Sequence, residues 1–238
     1  MIVGVAAATA PGAQVLLSVV LWAAVFWPGL AAADPSNPPM PAPAGIAVDA
    51  DGNLYVSDYA LDRVVKFGPD GTVLGQWGSS GNAPGQFSAP FGVALEDHTT
   101  LLVVDQLNNR LQRFALDGTL LGVFGRAGAG PGDLRTPFGV AVGGGRIYVA
   151  DFANDRVQVY GADGTFEAAL GGHGSGDGQF LRPAGVAIDR DGTLYVTDHF
   201  NDRIQRFGAD GRFAGSLGTA FSNSHWWYSL MVIFSPGR

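Results

Sequence analysis

The sequence of 238 residues contains no cysteine, so it has no disulfide bonds, thiolate zinc sites or cysteine nucleophiles. Lysine occurs once, as Lys66, and glutamate twice, as Glu96 and Glu167. Both residue types favour helices, whereas the 36 glycines and the many aspartates favour turns. The composition therefore argues against a helical bundle or a coiled coil, and a single all-β domain of this length is ordinary.

Basic residues are also scarce, since 14 lysines and arginines stand against 21 acidic residues and give a net charge of −7. A protein that binds the phosphate backbone of a nucleic acid needs a basic face, so this charge disfavours nucleic-acid binding. Hydrophobic residues make up 47% of the chain, which excludes a disordered protein.

Charged side chains are absent from residues 1–33, and the first one is Asp34. Residues 15–27 form an apolar run that small residues follow up to Ala33, a pattern typical of an export signal. The run is short for a membrane span, which needs about 20 residues, although residues 15–33 would suffice for a retained anchor. A misassigned start or a buried strand is the third interpretation. Residues 34–43 contain five prolines and are predicted to be a linker.

We predict that residues 1–33 are removed and that the mature protein begins near Asp34, outside the cytoplasm. The protein is then secreted or periplasmic, or it is membrane-anchored if the segment is retained. Amino-terminal sequencing of exported material measures this. Soluble material that begins at Met1 would contradict cleavage, and membrane material that begins there would support the anchor.

A repeat of 46–47 residues fills the rest of the chain. Each unit opens with a Pro-x-Gly block whose glycines are Gly45, Gly92, Gly139 and Gly185. Each continues with an apolar run ending in aspartate, at Asp58, Asp105, Asp151 and Asp198, and a second run that begins at Arg63, Arg110, Arg156 and Arg203. An Asp-Gly turn and a last apolar segment complete the unit. Four short strands joined by turns in every unit predict one blade of an all-β propeller.

The repeat pattern, roughly GQF-x-x-P-x-G-V-A…G-x-L-Y-V-x-D-x-x-N-x-R-V-x-x-F…D-G, resembles the NHL repeat family over residues 41–218. The resemblance implies four-stranded antiparallel blades at about 41–78, 85–125, 132–171 and 178–218 within a propeller that occupies residues 44–218. It leaves function open, because the family includes peptide-amidating lyases, RNA-binding domains and extracytoplasmic sensor domains. Propellers of this family have about six blades, whereas this sequence supplies four.

The repeat pattern stops after Gly218, and residues 219–238 form an atypical apolar tail. A fragment of a six-bladed propeller is the leading interpretation; a closed ring of four blades and chains that complete one another are the alternatives. Without a matching fifth unit, the first and last blades are expected to carry an uncovered apolar face, which favours self-association.

The loops between the second and third strands of each blade lie on the same end of the propeller as the links between blades, and we call this end the loop face. Binding groups commonly lie on such loops, held by a rigid scaffold. The predicted ligand-binding residues are Tyr59, Asp62, Phe91, Asn109, Phe138, Phe152, Asp155, His199, Phe200 and Asp202. Aromatic rings beside carboxylates and amides suit a peptide or a sugar. For Phe91 and Phe138 the alternative is that they fill the central channel.

The recurring aspartate and arginine of each blade are predicted to be structural ion pairs, in which the arginine also donates to carbonyls of its own loop. The pairs are Asp58–Arg63, Asp105–Arg110, Asp151–Arg156 and Asp198–Arg203. A charged ring for a polar ligand is the alternative, but propeller sites are usually asymmetric, and this motif is present in all four units.

Metal and cofactor sites are not predicted. The lyase branch of the NHL family places several histidines around zinc, commonly where the third strand begins, and no histidine stands there in this sequence. His98 lies on the opposite face from His173 and His199, and zinc catalysis normally needs three protein ligands. The Asp-x-Asp-Gly segments at 49–52 and 189–192 have glycine fourth rather than sixth, so they read as turns and not as calcium loops.

The sequence therefore predicts an extracytoplasmic, non-enzymatic scaffold that binds a protein, peptide or glycan on its loop face. A lyase-type enzyme with a metal site at the channel mouth is the alternative. RNA binding is a third hypothesis, which the charge disfavours.

Overall fold

The computed structural model describes residues 39–218, and the predicted export segment, most of the linker and the apolar tail lie outside these residues. Its five sheets belong to a compact unit that starts at Met40. Four of them have four antiparallel strands each, in an order that follows the chain, and the fifth is a short two-stranded parallel sheet. The prediction of an all-β propeller with four-stranded antiparallel blades is confirmed. No helix within residues 39–218 is long and apolar enough to cross a membrane.

The strand bounds repeat from blade to blade. Blade 1 contains β1 (Pro43–Val48), β2 (Leu54–Asp58), β3 (Arg63–Phe67) and β4 (Val73–Trp77). Blade 2 contains β5 (Pro90–Leu95), β6 (Thr100–Asp105), β7 (Arg110–Ala115) and β8 (Leu120–Phe124). The next link carries two short parallel strands, β9 (Arg126–Ala127) and β10 (Asp133–Leu134). Blade 3 contains β11 (Val140–Gly143), β12 (Arg146–Asp151), β13 (Arg156–Gly161) and β14 (Phe166–Gly171), and blade 4 contains β15 (Pro183–Ile188), β16 (Leu194–Asp198), β17 (Arg203–Phe207) and β18 (Phe213–Leu217).

Aspartate and glycine make the turns between the third and fourth strands. In blade 3, Asp163 accepts hydrogen bonds from the Oγ1 and the backbone N–H of Thr165, at 2.7 and 2.9 Å. These two hydrogen bonds lower the pKa of Asp163. Gly164 follows with a φ of 83°, a conformation that glycine adopts without steric cost. The turn therefore reverses the chain with its polar groups satisfied.

Neighbouring blades approach each other through the glycines of their first strands. The N–H of Gly92 donates to the carbonyl of Phe138 at 3.1 Å, and that of Gly139 donates to the carbonyl of Ala184 at 2.9 Å. A Cβ on either glycine would lie closer than 3.0 Å to the same carbonyl oxygen. Only glycine allows the first strands to meet at this distance.

Apolar cores fill the three junctions between consecutive blades, and each core includes one fully buried side chain from the link that joins the two blades. These link side chains are Phe87, Leu134 and Phe180. Phe87 packs on Phe114 with ring centroids 5.6 Å apart, and Phe180 packs on Phe207 at 5.5 Å. The links are therefore part of the core as well as connections between the blades.

Candidate functional site

A buried carboxylate underlies the loop face of every blade, and in blade 2 it is Asp105 at the end of β6. Its side chain accepts hydrogen bonds from the N–H of Ser88 at 2.7 Å and from the amide of Asn108 at 2.9 Å. It also accepts from the Nε of Arg110 at 2.7 Å and from the amide of Gln112 at 3.1 Å. We call Asp105, Asn108, Arg110 and Gln112 the link-binding quartet of blade 2.

The quartet holds the link that precedes its blade. Arg110 donates to the carbonyls of Asn82, Ala83 and Gln86 at 2.8–2.9 Å. Gln112 accepts from the N–H of Gly85 at 2.8 Å. The carbonyls therefore belong to the preceding link, whereas we expected carbonyls of the arginine's own loop. The difference arises because the link packs against the blade that follows it, where its carbonyls lie within reach of the arginine.

Blades 3 and 4 repeat the quartet, and blade 1 has only half of it. The equivalent residues are Asp151, Asn154, Arg156 and Gln158 in blade 3, and Asp198, Asn201, Arg203 and Gln205 in blade 4. In blade 3, Gln158 donates to the carbonyl of Asp133 in the link and not to Asp151. Blade 1 keeps Asp58 and Arg63, 3.4 Å apart, but has Leu61 and Val65 at the other two positions. Burial raises the pKa of Asp151 despite hydrogen bonds from Asn154 and Arg156. These carboxylates lie under the surface, where they brace the chain.

Three of the predicted polar ligand-binding residues have a left-handed backbone conformation, with positive φ, and their side chains brace the following link. Asp62 accepts from the N–H of Ala89, and Asn109 from the N–H of Thr136, both at 2.7 Å. Asp155 accepts from the N–H of Arg182 at 2.7 Å, and its other oxygen lies 2.8 Å from Nδ1 of His173. The fourth residue, Asp202, has the same backbone conformation and is exposed.

Four of the predicted aromatic residues form a continuous series on the loop face, which we call the aromatic row. Tyr59 meets Phe91 edge-on at 6.2 Å between ring centroids, and Phe91 lies 4.8 Å from Phe138. Phe138 in turn lies 4.4 Å from Phe152, and the guanidinium of Arg182 covers Phe152 at 5.4 Å. Tyr59 is 40% exposed, and the three phenylalanines are half-buried. The row thus presents ring surface to solvent across three blades.

The other two residues of the predicted site lie on blade 4. Phe200 is 59% exposed and packs against the ring of His199 at 4.9 Å. Both belong to a short 3-10 helix, His199–Asn201, that follows β16. They contribute a second aromatic contact on the loop face, outside the aromatic row.

Gln106 is a polar residue of the loop face that the sequence did not single out as a binding residue. It follows Asp105 directly, at the repeat position that Tyr59 has in blade 1 and Phe152 in blade 3. Only 3% of Gln106 is exposed, and its Nε2 has no hydrogen-bond partner within the described part of the chain. A buried amide N–H without an acceptor costs about 1–3 kcal/mol. The only available signal was that a glutamine interrupts an aromatic position of the repeat.

Metal ligands are not gathered within residues 39–218, where no three histidine, aspartate or glutamate side chains form a group that could hold an ion. The carboxylate of Asp49 serves its own turn, where it accepts from two backbone N–H groups, from the amide of Asn53 and from the hydroxyl of Tyr55. Burial raises the pKa of Asp49, but these hydrogen bonds together bring it below the ordinary value. The carboxylate of Asp189 makes the same type of turn.

A cavity of about 420 Å³ lies on the opposite end of the propeller, between blades 2 and 3. Its charged residues include Arg113, which forms two hydrogen bonds with Glu96 at 2.6 and 2.7 Å. Arg113 also donates to the carbonyl of Ala162 in blade 3 at 2.6 Å. These three groups satisfy one another, so Arg113 links blades 2 and 3 at the edge of the cavity.

Comparisons with known proteins agree with this architecture. The family model DUF5128, described as a 6-bladed beta-propeller, matches residues 133–230. No curated protein sequence matches the chain. Similar solved structures include virginiamycin B lyase from Staphylococcus aureus, with 16% identity, a TM-score of 0.57, and coverage of 73% of this chain and 54% of that one.

Two further solved structures have the same degree of similarity. A streptogramin B lyase has 17% identity and a TM-score of 0.60, with 79% of this chain and 57% of that chain covered. Hydrazine synthase of Kuenenia stuttgartiensis has 17% identity and a TM-score of 0.59, with 80% and 52% covered. The chain thus spans little more than half the length of these structures. At this level of identity the similarity shows the propeller fold alone.

Proposed function

We propose that this chain is an NHL-type recognition module that binds a peptide or a glycan, without chemical conversion, along the aromatic row. The observation that carries the proposal is the row itself, four rings in contact across three blades with Tyr59 exposed at one end. Exposed aromatic rings held by a rigid scaffold bind apolar side chains and sugar rings through large contact areas. With the predicted export of the chain, this surface works outside the cytoplasm.

A charged group beside the row suits the same ligands. Arg182 places a positive charge at the Phe152 end of the row. Peptides and glycans combine oxygens that accept hydrogen bonds from a guanidinium with surfaces that pack on aromatic rings. We do not extend to this chain the lyase activities in the names of the similar structures, because the similarity is one of fold alone.

The experiment screens the full-length chain against a random peptide-display library and a glycan array, and then measures affinity for the best peptide and the best glycan. Replacing Tyr59 and Phe152 by alanine removes both ends of the row, and we expect affinity to fall at least tenfold. Phe200→Ala is the matched control, because this exposed ring lies outside the row. Each change is expected to alter the free energy of unfolding by no more than about 1 kcal/mol, as surface changes do.

Two results would contradict the proposal. In the first, the Tyr59 and Phe152 variants bind like the parent while Phe200→Ala loses binding, which would move the site to blade 4. In the second, the Tyr59 and Phe152 variants unfold but retain binding where folded, which would make these rings part of the core.

A further inference from the structure

Each blade packs on the next through two faces that recur along the chain. The forward face of a blade includes the positions of Ser57 and Val64 in blade 1, and the backward face of the following blade includes the position of Val93 in blade 2. At all three junctions within residues 39–218, these forward and backward residues are buried. We use the two names for the equivalent positions in every blade.

The forward face of blade 4 and the backward face of blade 1 differ from the others in exposure. On the forward face, Ile204 of blade 4 is 37% exposed, whereas its equivalents Val64, Leu111 and Val157 are fully buried. On the backward face, Ile46 of blade 1 is 43% exposed, whereas its equivalents Val93, Val140 and Val186 are at most 7% exposed. The chain therefore presents one forward face and one backward face of the same interface.

Gly185 shows that blade 4 is shaped for another blade. The equivalent glycines of blades 1–3 are required because a Cβ would strike the backbone of the next blade. At Gly185 the nearest atom to such a Cβ is Oγ1 of Thr197 in the same blade, at 3.1 Å, and its φ is not left-handed. Blade 4 therefore has the glycine that a blade junction needs, although a Cβ there would also press on the side chain of Thr197 within the same blade.

Two polar side chains on the same face lack the acceptors that their equivalents reach in the next blade. The hydroxyl of Ser57 in blade 1 donates to the carbonyl of Phe91 in blade 2, and Thr197 takes the place of Ser57 in blade 4. Lys66 of blade 1 reaches the carbonyl of Leu116 in blade 2, and Arg206 takes the place of Lys66 in blade 4.

Arg113, the equivalent of Arg206 in blade 2, donates from Nη2 to a carbonyl of blade 3, while its Nε pairs with Glu96 of its own blade. Both Thr197 and Arg206 are thus placed to donate to a neighbouring blade, Arg206 through its terminal guanidinium nitrogens.

We propose that the forward face of blade 4 packs on the backward face of blade 1 in a second copy of this chain. In that arrangement the carbonyls of Ala44 and Pro69 in the second copy take the places that the carbonyls of Phe91 and Leu116 have at the first junction. Two copies joined head to tail at both ends close with two-fold symmetry, the simplest closed assembly.

The first experiment measures the mass of the full-length chain by light scattering. We expect a dimer for the parent and at least tenfold weaker association for Gly185→Ala, because the added Cβ would strike the incoming first strand. Gly122→Ala is the matched control, since a Cβ there meets open space, and it should associate like the parent. A monomeric parent, or a Gly185→Ala variant that associates like the control, would overturn the proposal.

The second experiment tests the head-to-tail orientation. Because the chain has no cysteine, single cysteines can be introduced as Ile46→Cys and Ile204→Cys in separate preparations. A short bis-maleimide should cross-link the mixture into a heterodimer and leave each variant alone uncross-linked. Cross-links between two copies of one variant, without the mixed product, would show a different interface and contradict this one.

Discussion

Replacing Asp105 by asparagine is expected to destabilise the protein by about 3–5 kcal/mol, as for one partner removed from a buried ion pair. The carboxylate of Asp105 is fully buried and accepts hydrogen bonds from Arg110, Asn108, Gln112 and the backbone of Ser88. An asparagine has one acceptor oxygen instead of two and no charge, so it leaves the guanidinium of Arg110 without its counterion. Because Arg110 also holds the link, the loss spreads to the junction between blades 1 and 2.

Chemical denaturation with fluorescence detection measures this loss, and Glu167→Gln is the matched control. Glu167 pairs with Arg146 at 2.7 Å, but both side chains are between 40% and 47% exposed. Exposed pairs contribute about 0–1 kcal/mol, so the control should unfold close to the parent. If the two variants were equally stable, the quartet would not be what fixes the link.

The strands were predictable because their signals are local and repeated. Every apolar run lies between turn residues, so the run that begins at Pro90 ends at Leu95 in the structure as the repeat implies. Four repetitions of one pattern also identify the blade, because every unit has to make the same contacts with its neighbours. These constraints act within about fifty residues of the chain, where the sequence is directly informative.

The site was only partly predictable because its geometry depends on contacts between units. Asp62, Asn109 and Asp155 have polar side chains in loops, which suggested ligand contacts, but each reaches a backbone N–H 27 residues further along the chain. No local pattern shows that a loop carboxylate braces the next link. The aromatic row was anticipated as a set of rings at one rim, and the contacts between them come from the angle between blades.

The same bracing explains how the loop face can hold a rigid row. Phe91 and Phe138 each follow a proline and precede the glycine at which two first strands meet. Their backbones are fixed by the junctions, and their rings are then 4.8 Å apart. A ligand on this row would lose little affinity to ordering of the protein, because the surface is formed before binding.

Gly92→Ala should therefore damage both the fold and the row. Its Cβ would lie closer than 3.0 Å to the carbonyl oxygen of Phe138, and backbone on both sides leaves no flexible side chain to move. Overpacking of this kind costs about 1–3 kcal/mol, and relief requires blades 2 and 3 to separate. Separation would widen the contact between Phe91 and Phe138, so ligand affinity should fall even in the molecules that remain folded.

Thermal unfolding and ligand titration of the same preparations test this prediction. Gly122→Ala, in an outer strand where a Cβ meets nothing within 4 Å, should be neutral or stabilising by about 0.4–1 kcal/mol, because alanine restricts the unfolded chain. The two glycines differ in what surrounds them, so the difference between the variants measures the close approach of the blades. Equal stability and equal affinity would mean that blades 2 and 3 tolerate a wider spacing, and that the aromatic row does not depend on the glycine junction.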